Sequence, residues 1–481
     1  MTLQYQFASK IRNVILNALP EGTSLHGDSP ELRYTYLPAV HAKALQPNNM
    51  LVVGIRGSGK SFWWAALQEP EHREAFGNKI GIGSHTIVSK GFGERPAPHD
   101  YPGKDVFASI VKKFDPRQIW RAVVFKHISG ESAPAEFKKF EKWEERTAWV
   151  KKNPEEIDRF LFEIDSELKT YHIILFDALD RTADDWKTMN KLVRGLLQAA
   201  LDFRVYKKLR LKIFVRPDQI EDSEVKSFPD SSKLISERAE LYWPRSELYG
   251  LLWQHLANSD EGELFRNGCR QMVKIRWIET EGVWAIPDSL RADEESQRQV
   301  FHAITGPWMG RDRRRGFPYT WLPNHLGDTR KQVSPRSFLA AVRYAASDKP
   351  RQDQPYALHY ESIKRGVQEA SKIRVREIEE DYPWVSQLFE PIATISVPCK
   401  IEDIKKRWEQ SGAMEKLAEK IKSASVRLPP ANLELGADGL LQDLEGLGLI
   451  ERLSEDRVNI PDVYRVGYGI GRRGGVKPAA R

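Results

Sequence analysis

The chain has 481 residues, 41% of them hydrophobic, the ordinary balance of a soluble globular protein with room for two to four domains and a sizeable core. No apolar run nears the roughly 18 residues that span a bilayer, and the N-terminal stretch lacks an unbroken apolar core and a small-residue cleavage site, so a cytoplasmic location is expected. The net charge of +7 is concentrated after Asp462, where Arg465, Arg472, Arg473, Lys477 and Arg481 stand without an acid, so the body is nearly balanced and a broad basic groove is excluded.

In chain order, residues 7–19 predict a helix, followed by a Gly/Ser/Pro turn region and an approach segment, YLPAVHAKALQPNNM. Within it Tyr36, His41 and Asn48 read either as contacts to a nucleotide base or as parts of an ordinary packed connector. Residues 51–53 are apolar, the end of a buried strand, and residues 54–61, GIRGSGKS, then fit the phosphate-loop pattern G-x-x-x-x-G-K-[ST] without a mismatch. A loop whose backbone N–H groups point inward bends through conformations that Gly57 and Gly59 tolerate and side-chain-bearing residues resist. Lys60 would neutralise the β- and γ-phosphates, the Ser61 hydroxyl would ligate Mg2+, and the helix opening there would add its positive end. Gly54, Arg56, Gly57, Ser58, Gly59, Lys60, Ser61 and Phe62 are the expected nucleotide contacts. With Gly at about 7% of residues, a chance match in a chain this long has odds of about one or two in a hundred.

A second strand is expected over 80–88, then a turn-rich loop and helices over 105–114, 119–127, 137–150 and 155–169. Residues 171–180, YHIILFDALD, are the second anchor: an apolar strand buried on both faces of a parallel sheet, with Asp177 at its C-terminal end, where such sheets bind ligands. This is the form of a Walker B motif, in which Asp177 holds Mg2+ through water and Asp180 orients or deprotonates the attacking water. A helix over 185–203 leads to LRLKIFVRPD, a third core strand; Arg216 at its end either reads the γ-phosphate or pairs with Asp218 in a structural turn.

From Leu234 the pattern is wholly helical. The stretch GPWMGRDRRRGFPYTWLPNHLGD packs Arg311, Arg313, Arg314 and Arg315 beside Tyr319 and Trp321; it binds nucleic acid or forms an intersubunit or interdomain contact, the latter favoured by Asp312 and Asp328. Pro335 fixes the start of a further amphipathic helix and puts Arg336 on its first turn, from where it could reach a phosphate across a cleft. After a linker-like stretch, 348–355, a long charged helix over 360–382 leads to helices over 401–409, 413–423 and 438–447 and a hairpin of 449–453 with 457–460, the spelling of a winged helix. The helix over 438–447 has Asp438, Asp443 and Glu445 but no Lys or Arg, which favours docking on protein and leaves Arg472, Arg473 and Lys477 as the obvious phosphate-contacting set. Cys269 and Cys399 lie far apart, which excludes a disulfide scaffold and argues against a structural zinc site.

With the phosphate loop, Asp177 and Asp180, Arg216 and Arg336 in this order, the chain resembles the AAA+ and STAND ATPases, loosely over residues 45–345 and tightly at the motifs. FDALDR resembles the D-x-L-D strand end of STAND proteins, and Ser334-Pro335-Arg336 a sensor-2 motif. The resemblance implies an α/β fold: an N-terminal helical segment (1–48), a P-loop NTPase core with a parallel sheet (49–235), a helical lid (236–347), a linker and long helix (348–390), a winged-helix domain (391–465) and a basic Gly-rich tail (466–481). It implies ATP and Mg2+ as ligands and an oligomeric switch, contacted by Arg336 from the lid and similar to bacterial regulatory or anti-phage defence ATPases that act with further copies or an effector protein. The alternative is a DNA-binding ATPase, a loader or regulator, acting through the winged helix and basic tail. Ala178 stands where many AAA+ proteins carry Glu, so the base is Asp180 or comes from elsewhere, and Arg181, Arg216, Arg238 and the 311–315 cluster compete as trans-acting finger.

Overall fold

The structure, a computed structural model, describes residues 3–21, 28–351, 354–423, 426–473 and 476–478. Parts of the expected turn region, linker and basic tail, Arg481 among them, lie outside the described residues. The chain divides into two compact units: one takes Leu25–Pro30 and Leu37–Tyr242, the other Met1–Ser24, Glu31–Tyr36 and Trp243–Arg481. Among the described residues no helix is long and apolar enough to cross a membrane.

The first unit is built on a parallel sheet of β1 (Leu51–Val53), β2 (Ile87–Phe92), β3 (His172–Phe176), β4 (Leu209–Val215) and β5 (Ala239–Glu240), in the order β2-β3-β4-β1-β5. The apolar runs of β1 and β3 are buried on both faces, as strands covered by helices on each side must be. From β1 the chain crosses to the far edge and returns strand by strand, which makes β1 a switch point of the sheet. Register then sets the site: Val53 pairs with Val215 and Phe176 with Ile213, so Gly54, Asp177 and Arg216 all leave the sheet at one rim. Behind that rim the fully buried Trp120 packs edge-on against Phe176, with ring centroids 5.6 Å apart, and donates its indole N–H to the Leu192 carbonyl at 2.8 Å.

Three local expectations give way to the structure. Residues 80–88 are no single strand: the helix Pro70–Ile80 ends at Gly81, whose φ of 72° few other residues adopt, and β2 starts only at Ile87. Ile80 and Ile82 are buried, so their apolar spacing belongs to a helix end and a turn. The helix expected over 137–150 is two, Ala135–Lys138 and Trp143–Lys152, the second opening where the Glu145 carboxylate accepts the Lys142 N–H at 3.4 Å. Within the stretch read as wholly helical, Ala239–Glu240 adds a fifth strand beside β1. In mid-β4 the fully buried Lys212 reaches out of the sheet and donates to the carbonyls of Ala44, Gln46 and Asn49 at 2.9, 3.0 and 2.6 Å, satisfying the C-terminal end of the helix Ala39–Leu45 and the turn after it.

In the second unit the helices Leu3–Ala18, Arg245–Asn258, Pro335–Ser347 and Tyr360–Asp381 contribute to one apolar core. Further on, the helices Ile401–Ser411, Ala413–Lys422 and Gly436–Gly446 precede an antiparallel hairpin, Glu451–Leu453 with Arg457–Asn459, on which Cys399–Lys400 adds a third strand. The described part of the basic tail is tied in place. Arg465 is fully buried and donates to Asp462 Oδ1 at 2.6 Å and to the Val476 carbonyl at 2.7 Å, while Arg472 shares that Asp462 oxygen at 3.3 Å. Arg473 and Lys477 stay exposed.

Candidate nucleotide site

The loop between β1 and the helix Lys60–Ala66 is stitched at its entrance, where Gly54 donates to the Val215 carbonyl at 3.0 Å and Leu241 to the Val53 carbonyl at 2.7 Å. A Cβ on Gly54 would collide with Ser58 Oγ, and Gly57 and Gly59 turn through φ of 77° and 102°. Lys60 folds back over the loop, its ammonium donating to the Gly54 and Ile55 carbonyls at 2.8 and 2.9 Å. Burial pushes that ammonium down to about 8; Asp177 opposes the shift and Arg216 reinforces it.

Asp177 is buried at the end of β3, with the Ser61 side chain and the Ala178 backbone beside its carboxylate. Burial raises its pKa, with Ser61 and then Lys60 pulling the other way. Ala178 holds φ at 55°, a left-handed turn that costs a non-glycine residue about 1 kcal/mol. Asp180 follows in a single 3-10 turn, Leu179–Arg181, with its Oδ2 3.9 Å from both Arg216 Nη1 and Arg181 Nε. The buried Arg216 also meets Asp218 at 3.3 Å, so the structural pairing read from the sequence is present together with the approach to Asp180.

Lys60, Ser61, Asp177, Asp180, Arg216 and Asp218 therefore converge. Lys60 and Arg216 stand among three carboxylates there, with Arg181 also 3.9 Å from Asp180. The paired Ser61 hydroxyl and Asp177 carboxylate are hard oxygen donors, the few protein ligands Mg2+ takes when phosphates and water complete its shell. Among the described residues there is no group of three or more His, Cys, Asp or Glu that could hold a metal ion by itself.

Of the remaining expected contacts, Arg56 is half-buried, Ser58 is buried, and Phe62 is partly exposed with Trp63 edge-on at 5.2 Å. Of the two readings of Tyr36, His41 and Asn48, the packed connector is the one present for Tyr36 and His41, both buried. His41 is fully buried with both ring nitrogens engaged: Nδ1 accepts the Trp63 indole N–H at 3.1 Å and Nε2 donates to the Tyr242 carbonyl at 3.0 Å. Burial lowers it to about 3 and keeps the ring neutral, so it serves as a packed link between the helix Lys60–Ala66 and Tyr242. Tyr36 donates to Glu247 inside the other unit, and Asn48 Oδ1 accepts from Arg210 at 3.2 Å. Arg336 also belongs to the other unit, on the first turn of Pro335–Ser347 as Pro335 predicts, and pairs with Glu377 at 2.5 Å. Sequence reading did not single out the left-handed turn at Ala178, which alanine does nothing to signal, or the Trp63–His41 bond.

Fold and rim together define a parallel α/β unit with a glycine-rich loop between β1 and the helix that follows it. No protein-family model and no curated protein matches the chain. Among solved structures it is similar to a Walker-type ATPase of Pyrococcus abyssi (14% identity, 91% of this chain and 100% of that one, TM-score 0.39). It is also similar to a Drosophila ORC chain from a DNA-bound structure (10%, 94% and 90%, 0.30) and to the ORC2 protein of Aeropyrum pernix (12%, 94% and 93%, 0.29). At such scores and identities these likenesses carry no argument about the site.

Proposed function

We propose that the protein binds ATP with Mg2+ and hydrolyses it, using the energy difference between nucleotide states as a conformational switch. The observation that carries this reading is a glycine loop whose Lys60 ammonium rests on its own Gly54 and Ile55 carbonyls, with Ser61 beside the strand-end Asp177. Incoming β- and γ-phosphates would draw Lys60 off Gly54 and Ile55, exchanging neutral acceptors for charged ones. Ser61 and Asp177 would hold Mg2+, which supplies neutralisation of charge developing on the transferred phosphoryl group. Arg216 adds a second cation at the rim, and Asp180, one turn past Asp177, orients the attacking water. The finer reading, an AAA+ or STAND-like oligomeric switch of bacterial regulation or defence, with a C-terminal winged helix that docks on protein, has motif order and the acidic helix Gly436–Gly446 as its support. Two acids of that helix are used internally, Asp438 by Lys405 and Asp443 by Asn432.

Asp180→Asn tests the hydrolytic part: affinity for MgATP should stay within about threefold while kcat falls by about 100-fold or more, the usual size of a general-base effect. Unchanged turnover would remove Asp180 from the mechanism. The pH dependence of binding tests Lys60. Phosphates favour its charged form, so above about pH 8 binding must take up a proton, and affinity should be flat below that point and fall by up to about tenfold per unit above it. Calorimetry in buffers of different ionisation enthalpy reads both slope and proton uptake; a profile flat beyond pH 9 contradicts the assignment.

A further inference from the structure

In the second unit, away from the residues used above, residues 309–316 form a closed turn. Met309 donates to the Gly316 carbonyl at 2.9 Å, Asp312 accepts the Arg314 N–H at 2.9 Å, and a 3-10 helix, Arg313–Arg315, completes it before Gly316 reverses the chain at φ 89°. Its base is pinned by rings: Phe317 lies parallel to His302, with centroids 5.9 Å apart, and against Trp308 at 4.9 Å, with the Arg298 guanidinium 5.8 Å above it. The stem of Arg315 covers Gly310, where a Cβ would meet Arg315 Cγ at 2.8 Å.

This scaffold presents Arg311, Arg313, Arg314 and Arg315, all exposed. One carboxylate, Asp312, answers them, and its ion pair is with Arg314 at 2.9 Å. Asp328 accepts the backbone N–H groups of Arg330 and Gln332 in its own turn, both at 2.9 Å. Among the described residues Arg311, Arg313 and Arg315 make no ion pair. The buried core of a protein interface is more apolar than the rest of the surface, and among the described residues none of the exposed large apolar side chains falls between Ile278 and Tyr344. Planar guanidinium groups on a closed turn suit phosphodiester oxygens, which they meet two N–H bonds at a time.

We propose that the 309–316 turn is a phosphate-binding surface for nucleic acid, with Arg311, Arg313 and Arg315 as its contacts. Its charge acts where the chain is otherwise nearly neutral, and each phosphate neutralised releases counterions and steepens the salt dependence.

The test uses the full chain without nucleotide, in fluorescence anisotropy with labelled single-stranded and duplex oligonucleotides over a salt series. Arg311→Gln/Arg313→Gln/Arg315→Gln should weaken binding by about 100-fold at about 0.1 M salt and reduce the slope of log K against log salt by about 2 to 3. Arg311 and Arg313 are exposed, and Arg315→Gln keeps the Cβ and Cγ that cover Gly310, so the thermal melt should not move. A second variant, Arg473→Gln/Lys477→Gln, should keep most of the slope. Absence of wild-type binding at low salt, unchanged slope in the triple variant, loss of the slope in the tail variant, or displacement by poly-glutamate as readily as by unlabelled oligonucleotide would each overturn the proposal.

Discussion

Lys60→Ala should raise the dissociation constant for MgATP by about 100- to 1,000-fold and remove hydrolysis with it. The ammonium is the loop's own cation, held by the Gly54 and Ile55 carbonyls at 2.8 and 2.9 Å, and phosphates would replace those neutral acceptors with charge-assisted bonds. Losing such a bond where water is largely excluded costs about 3 to 4 kcal/mol, and every 1.4 kcal/mol is about tenfold in affinity. The stability of the chain should change little, because the loop's glycine turns and its stitches to Val215 and Val53 do not depend on the side chain. Equilibrium binding of a fluorescent ATP analogue measures the effect, and undiminished hydrolysis by this variant would rule the site out.

Lys212→Met should destabilise the first unit by about 3 to 5 kcal/mol while keeping most of the packing volume. Three backbone carbonyls, of Ala44, Gln46 and Asn49, receive the Lys212 ammonium; Gln46 keeps the Asn49 N–H, so Ala44 and Asn49 lose this donor outright, at about 1 to 3 kcal/mol for each acceptor left unpaired, part of it recovered by relaxation. At about 2 to 4 °C per kcal/mol for a unit of this size, the melting transition should drop by about 10 °C. The helix Ala39–Leu45 carries His41, so the Trp63 indole loses a fixed acceptor as well, and nucleotide affinity should weaken secondarily. A melt that does not move would mean that these carbonyls find water or other donors.

How much of this was legible in the sequence follows from the range of each interaction. The phosphate loop is spelled locally: positive φ demands glycine at 57 and 59, and the lysine and hydroxyl follow at once. Asp177 was legible because HIILF has no polar face and an acid directly after it marks the strand's end. The strand Ala239–Glu240 was not, since two residues have no periodicity and only the neighbouring β1 makes them a strand. Gly81 hid a helix stop inside what reads as an apolar alternation. Lys212 looks like the polar face of LRLKIFV, and only partners 163 to 168 residues away show that both faces are covered. His41 is similar, with Trp63 22 residues off and Tyr242 201 residues off. Asp312 and Asp328 counted against a free arginine cluster as composition, yet the first reaches Arg314 and the second is spent on its own turn.

Calorimetric titration of the wild-type chain with ATP, with and without Mg2+, bears most directly on the central claim that the rim of Lys60, Ser61 and Asp177 holds a magnesium triphosphate. Binding should saturate at one site per chain, tighten when Mg2+ is present and lose that magnesium dependence in Asp177→Asn. No heat of binding, or binding indifferent to both the metal and Asp177, would contradict it.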